Sequence, residues 1–229
     1  AYYPMALTHG PWFSTPDTTQ SPADRRRNSK KNFAANVEYV DKLIGRIVTA
    51  LEEAGLRERT IIFFTGDNGT AGNGKGDPTE LGARVPMIVN APGLVQATGA
   101  SSQMVDLSDV MPTLAELADA ELPSDRPIDG HSFAPALRGD MSAGREWIFS
   151  YIADRRILRD QRWLLEDNSP RHKGRLYDCG DSRNGQGYEE VTDSDDPDVQ
   201  AAWARFEKIL ADLPAPYIDY DGPAAGKKR

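Results

Sequence analysis

Cysteine, histidine, long apolar runs and positive charge are all scarce in this chain. Its 229 residues hold one cysteine, Cys179, and three histidines. A single cysteine excludes an internal disulfide and a multi-cysteine zinc site, and it leaves the redox compartment open. No run of 18 apolar residues occurs, which excludes a transmembrane helix and gives no reason to expect a membrane partner. Lys and Arg number 27 against 35 Asp and Glu, a net charge of −8. A nucleic-acid binder would show a basic stripe instead. The short run Arg25-Arg26-Arg27 reads as a solvated loop. Ala1-Tyr2-Tyr3-Pro4-Met5-Ala6-Leu7 has neither an initiator Met nor a signal-peptide pattern. The text reads as starting inside a strand, so a piece with a missing upstream part is expected. What remains, 39% hydrophobic and 27% charged, fits a soluble globular protein with a core.

The order of elements suggests an α/β chain. Residues 1–13 read as a strand running into the loop Thr8-His9-Gly10-Pro11-Trp12, and residues 14–31 as an exposed loop. Over residues 32–54, Phe33, Val37, Val40, Ile44, Ile47, Val48 and Leu51 recur at helical spacing, with Gly55 as the C-terminal cap. Residues 60–65 are apolar, β-branched and aromatic, the pattern of a strand buried on both faces. A loop with six glycines spans 66–82, and a second buried strand is expected over 85–89. Residues 108–117 read as a helix capped by Asp106 or Ser108, with Pro112 early enough to be tolerated. This alternation implies a sheet with helices on its faces. Beyond residue 140 three short strands, 147–152, 162–165 and 175–178, suggest a small antiparallel sheet. An exposed acidic loop over 180–197 and an amphipathic helix over 199–213 follow, the helix with Trp203, Phe206, Ile209 and Leu210 on one face. The tail 224–229 is expected to fray. The expected organisation is an α/β part over 1–140 and a small α+β subdomain over 141–229. No internal repeat is present.

Chemistry concentrates where strand 60–65 ends. Asp67 and Asn68 follow it at once, and ligands of open α/β sheets bind at the carboxyl ends of strands. A carboxylate and an amide oxygen are hard donors suited to Ca²⁺ or Mg²⁺. Asp-Asn-Gly is equally ordinary turn chemistry, and alone the turn is the stronger reading. Lys75 lies in the glycine loop beyond, and His9 lies in a loop after the first expected strand. With parallel neighbouring strands all four would reach one sheet edge. A divalent cation, a lysine and an imidazole there would suit an anionic ester, by polarising one oxygen and offsetting charge on the leaving group. The segment from Gly69 to Lys75 imitates a phosphate-binding P-loop, but Gly76 replaces its Ser or Thr and Asp77-Pro78 stands where its helix should start.

These residues fall in an order that resembles the sulfatase family, within the alkaline-phosphatase-like superfamily. Tyr2 through Trp12 is similar to the segment whose histidine contacts sulfate, and residues 39–69 to the helix-strand unit ending in the metal-binding Asp-Asn pair. Gly74-Lys75-Gly76 with Glu80, Gly82, Arg84, Val85 and Pro86 resembles the family's lysine signature, although Leu81 stands where the family has glycine. Asp109 through Leu114 resembles the "D-[IL]-x-P-T-[IL]" helix, Asp129-Gly130-His131-Ser132 the "D-G-x-S" turn, and Leu176-Tyr177-Asp178 the strand near the family's C-terminus.

The resemblance implies an alkaline-phosphatase-like α/β sheet flanked by helices, plus a small C-terminal antiparallel sheet packed with a helix. It implies sulfate-ester hydrolysis assisted by Ca²⁺ (or Mg²⁺), with an aryl sulfate or sulfated saccharide as substrate. Asp67 and Asn68 would be metal ligands, and His9 and Lys75 would bind sulfate and stabilise the leaving oxygen. Glu80 and Arg84 would fix the loop, while His131 and His172 are read as non-catalytic. The family nucleophile is a formylglycine made within a Cys/Ser-x-Pro-x-Arg motif, and that motif is missing from these residues. Cys179-Gly180-Asp181-Ser182-Arg183 has Asp181 in place of the proline, so Cys179 reads as structural. Residues 1–229 alone are therefore expected to be inactive. Family habit points to a periplasmic or secreted protein. The rival readings are a phosphodiesterase or phosphonate hydrolase of the same superfamily, and a non-catalytic binder of sulfated glycans.

Overall fold

A computed structural model of the chain describes every residue except Gln20, Pro22, Asp24, Arg25, Ala71, residues 96–98, Ala143 and residues 214–229. The expected fraying of 224–229 and the first residue of the arginine run lie outside the described residues. Two compact units emerge, residues 1–61 with 91–94, and the described residues of 62–90 and 95–213.

The first unit is built on α1 (Phe33–Glu53). A 3₁₀ turn over Lys30–Asn32 leads into it, with the Ser29 hydroxyl accepting from the Lys31 amide. The helix stops where anticipated. Gly55, at φ +66°, donates to the Glu52 carbonyl, and Leu56 donates to Leu51. This paired closure needs a left-handed residue, and glycine adopts it without steric cost. Val40 and Asn36 are the buried residues of α1. The expected strand over 1–13 is absent, and the described residues there form turns and irregular backbone. Tyr2 and Tyr3 are exposed. Their β-propensity reflects packing on a pleated surface, which needs a neighbouring strand that this segment lacks.

In the second unit, β1 (Ile62–Thr65) and β2 (Met87–Asn90) flank a short helix α2 (Glu80–Ala83). The two strands pair antiparallel, with Ile62 opposite Asn90 and Thr65 opposite Met87. Among the described residues no parallel neighbours are found, and neither strand is buried on both faces as expected. The connection is a glycine loop and one helical turn, whereas a parallel pair needs a crossover, usually a full helix. β2 alternates half-buried and exposed residues, and β1 is half-buried except at exposed Thr65.

The helix α3 (Val110–Leu117) continues a 3₁₀ turn over Leu107–Asp109. Asp106 caps the turn by accepting from the Ser108 amide at 2.8 Å, and Asp109 accepts from the Asp106 amide at 2.8 Å. This reciprocal bonding satisfies amides that a helix start leaves open. Asp109 is fully buried and also accepts from the His131 amide and from the Arg145 guanidinium. Thr113 donates to the Asp109 carbonyl and accepts from the Phe133 amide. The Pro-Thr helix and the Asp-Gly-His-Ser turn thus meet at one buried carboxylate. A short helix α4 (Ala134–Leu137) follows, and Phe133 packs edge-on to Phe63 of β1 at 6.1 Å.

The C-terminal sheet holds five strands in sequence order: β3 (Trp147–Ile152), β4 (Arg155–Asp160), β5 (Trp163–Asn168), β6 (Arg175–Asp178) and β7 (Glu189–Glu190). All adjacent pairs are antiparallel. On one face Leu158, Trp163, Leu165 and Leu176 pack against Val199, Ala202, Trp203, Phe206 and Leu210 of α5 (Pro197–Asp212). On the other lie Ile157, Leu164 and Cys179. Strand β4 was not legible, because Arg155, Arg156, Arg159 and Asp160 outnumber its two apolar residues. Its buried Asp160 is satisfied, and Arg159 is satisfied in part, its Nη1 having no hydrogen-bond partner among the described residues. Asp160 accepts from the Arg162 and Trp163 amides and pairs with Arg205, while Arg159 donates to the Ser182 carbonyl and lies over the Tyr188 ring. The small strand β7 lies inside the stretch expected to be loop alone.

Candidate functional site

Asp67 and Asn68 emerge directly from β1, as the strand-end argument requires. Asp67 is exposed, Asn68 half-buried, and the Asn68 amide donates to the Asp67 carboxylate. The next residue ties this end down, since the Gly69 amide donates to the Gly82 carbonyl at 3.0 Å. Lys75 lies on the same loop. Its amide donates to the Thr70 carbonyl at 3.1 Å, and its side chain is exposed between Gly74 and Gly76, both at positive φ.

Three of the loop glycines are demanded by close backbone approach, Gly69 among them, where a Cβ would lie 2.0 Å from the Leu81 carbonyl oxygen. A Cβ on Gly74 would lie 2.2 Å from the Leu81 carbonyl oxygen. One on Gly82 would lie 2.3 Å from the Asp77 oxygen and 2.5 Å from the Gly74 oxygen. Residues 79–83 therefore fit directly against both the Asp67-Asn68 end and the turn bearing Lys75. No helix starts directly after Gly76, where the Asp77 amide donates to the Gly74 carbonyl in a turn, and α2 begins only at Glu80. The P-loop reading fails there, because the lysine is not followed directly by a helix whose N-terminus would receive phosphate.

Further side chains hold this loop from the C-terminal sheet. The Glu166 carboxylate of β5 accepts from the Glu80 amide at 2.6 Å, and the Tyr188 hydroxyl donates to the Glu80 carboxylate at 3.2 Å. Arg84 donates to the carbonyls of Arg183 and Asn184. Burial pushes the Glu166 carboxyl above its ordinary range, and the Glu80 amide and Arg175 offset this in part. Neither Glu166 nor Tyr188 was anticipated. Their sequence distance from Lys75 hides the contact, and the only local signal was a glutamate ending the apolar run of β5.

His9 belongs to the first unit. It is exposed, and its Nδ1 lies 2.5 Å from the Gly10 carbonyl oxygen. Its loop is anchored at Trp12, whose indole donates to the Thr8 carbonyl and whose ring meets Phe33 edge-on. Asn36, buried in α1, donates to the Phe13 and Asn32 carbonyls. An asparagine on the apolar stripe was its visible signal. His131 and His172 are exposed. Cys179 is buried, and desolvation pushes its thiol up to about 11, which suits a structural residue rather than a nucleophile.

As to a cation, Asp67 and Asn68 supply hard oxygens, the donor chemistry of Ca²⁺ or Mg²⁺. Among the described residues no group of three or more His, Cys, Asp or Glu side chains gathers. The pair fits part of a ligand set, since Ca²⁺ takes about 6–8 oxygens.

The sulfatase family model matches residues 2–120. The chain belongs to the sulfatase family. Human arylsulfatase D is 35% identical over 155 residues, covering 59% of this chain and 26% of the relative. Mouse steryl-sulfatase is 36% identical over 150 residues, covering 57% and 24%. The crystal structure of Ps i-CgsB superposes with a TM-score of 0.71 at 24% identity, covering 92% of this chain and 49% of that one. The chain thus spans about a quarter of the length of these curated relatives. The fold of this member of the family is the expected α/β arrangement with a small antiparallel sheet. Among its described residues no helix is long and apolar enough to cross a membrane.

Proposed function

We propose that this sulfatase chain supplies one side of a sulfate-ester hydrolysis site. Asp67 and Asn68 are its metal ligands, and Lys75 binds the sulfate group and offsets charge on the leaving oxygen. The observation that carries this reading is the loop itself. It fastens a carboxylate-amide pair at a strand end to an exposed lysine, through the Gly69–Gly82 bond and the packing of Gly74 under Leu81. For His9 the support is the family segment it matches, and its role as a sulfate contact is proposed on that alone.

A bound Ca²⁺ or Mg²⁺ would supply Lewis-acid polarisation of an ester oxygen. The chain's own residues do the rest of what is proposed. Asp67 and Asn68 present oxygens whose direction is set by β1 and Gly69. Lys75 offers three donors to sulfate oxygens from a backbone held on both sides. The formylglycine motif is not among these residues. We accordingly propose that residues 1–229 by themselves do not turn over. The substrate is read as an aryl sulfate or sulfated saccharide, and a location outside the cytoplasm is proposed on family habit.

The test is binding, followed by two-dimensional amide NMR of residues 1–229. Calcium chloride is expected to shift the Asp67 and Asn68 amides, and Asp67→Ala to abolish the shift. Sodium sulfate is expected to shift the Lys75 and Gly76 amides, and Lys75→Ala to remove that response. Amides indifferent to both salts at tens of millimolar would overturn the reading.

A further inference from the structure

The loop bearing Asp67, Asn68 and Lys75 has few internal ties of its own. Besides turn bonds, its two ends are joined by residues 79–83, which meet Gly69 through a hydrogen bond and lie against both Gly69 and Gly74 in backbone contact. What fixes 79–83 comes from far along the chain. Glu166 receives the Glu80 amide, Tyr188 binds the Glu80 carboxylate, and the Asp167 amide donates to the Pro78 carbonyl at 3.0 Å. Glu166 is nine-tenths buried, and Arg175 stands 3.6 Å from its second oxygen. A buried carboxylate with so few partners is costly unless the bond it makes is needed. The bond it makes goes to the first residue of α2.

We propose that Glu166 is a positioning residue: from the C-terminal sheet, through α2, it sets the placement of the Asp67-Asn68 pair relative to Lys75. Tyr188 is its companion on the Glu80 side chain. The importance of this placement for chemistry rests on the sulfate-ester reading above, whereas the tie itself does not. The C-terminal sheet is then part of the site's construction.

Hydrogen exchange of single amides in residues 1–229 tests this. In Glu166→Ala the Glu80 amide loses a charged acceptor. The Gly69, Lys75 and Asp77 amides are expected to exchange about tenfold faster, the scale of one lost bond to a charged group. Amides of β3 and β4 are expected to keep their rates. Glu166→Gln preserves an acceptor oxygen and is expected to stay within about threefold of the parent. Unchanged exchange at Gly69 and Lys75, acceleration spread equally through β3 and β4, or a Gln variant as damaged as Ala would each overturn the proposal. Should Glu166→Ala fail to fold, Tyr188→Phe decides. It keeps the ring over Arg159 and removes the hydroxyl, and faster exchange confined to Gly69, Lys75 and Asp77 is expected. A normal rate there would count against the tie. The calcium and sulfate titrations of the parent judge the site reading separately, so failure of one is distinguishable from failure of the other.

Discussion

Two buried carboxyl groups in this molecule respond to acid in opposite directions. Burial alone would raise Asp109, but the Arg145 guanidinium and the Asp106 and His131 amides outweigh it and hold it below its ordinary value of 3.8. Its contribution to stability is present above 3.8 and is lost as pH falls through the lower folded value. Glu166 is pushed above 4.5, first by burial. The groups facing it are Arg175 on β6, Glu80 on α2 and Asp167 beside it on β5. Its contribution is fully present below 4.5 and is lost as pH rises through the raised folded value. Melting curves against pH are therefore expected to separate the two. Asp109→Asn should flatten the acid limb. The advantage of Glu166→Gln over the parent should grow as pH rises above 4.5, and an advantage that shrinks would contradict the sign. Arg145→Ala leaves a buried carboxylate unpaired and is expected to cost about 3 kcal/mol in denaturant unfolding. These charges are individually visible in the sequence. Their pairing is not, because Asp109 and Arg145 lie 36 residues apart.

Among the elements, periodicity marked the long helices, although the stripe residues Phe33, Val37 and Ile47 of α1 are exposed. The helical spacing over 32–54 became α1 with Gly55 closing it, and Trp203, Phe206 and Leu210 became the buried face of α5. Phe206→Ala, which empties the centre of that face, is expected to cost about 3–5 kcal/mol, measured by urea unfolding. Pattern failed where charge is buried against groups outside its own strand, as in β4, and where a strand needs a partner, as in residues 1–13. The glycine loop lies between these cases. Its glycine count marked a loop, but the reason for Gly82 appears only when the Asp77 and Gly74 carbonyls are seen against it. Gly82→Ala must displace backbone, and a loss of about 1–3 kcal/mol is expected by thermal melting. A neutral effect would show that the loop can relax away from this packing.

At the scale of the whole molecule, the chain belongs to the sulfatase family and spans about a quarter of the length of the curated relatives it matches. Purified residues 1–229 are expected to release no product from p-nitrophenyl sulfate above buffer, with or without calcium. Measurable turnover would mean that a nucleophile other than formylglycine serves within this chain. In a longer protein that carries the nucleophile motif, Lys75→Ala is expected to lower kcat by about 10²–10³, the scale of one preorganised electrostatic donor.

By itself the sequence determined the family, the strand-end pair Asp67-Asn68, the presence of Lys75 on a glycine loop, and the main helices. Each of these is a local pattern, set by residue type and short spacing. Tertiary structure alone decided the antiparallel pairing of β1 and β2, the burial of Asp109 against Arg145, and the hold of Glu166 and Tyr188 on α2. These depend on which distant groups desolvate one another. Residues 80 and 166 meet because two backbones pack closely enough for one carboxylate to replace the water that the Glu80 amide would otherwise bind.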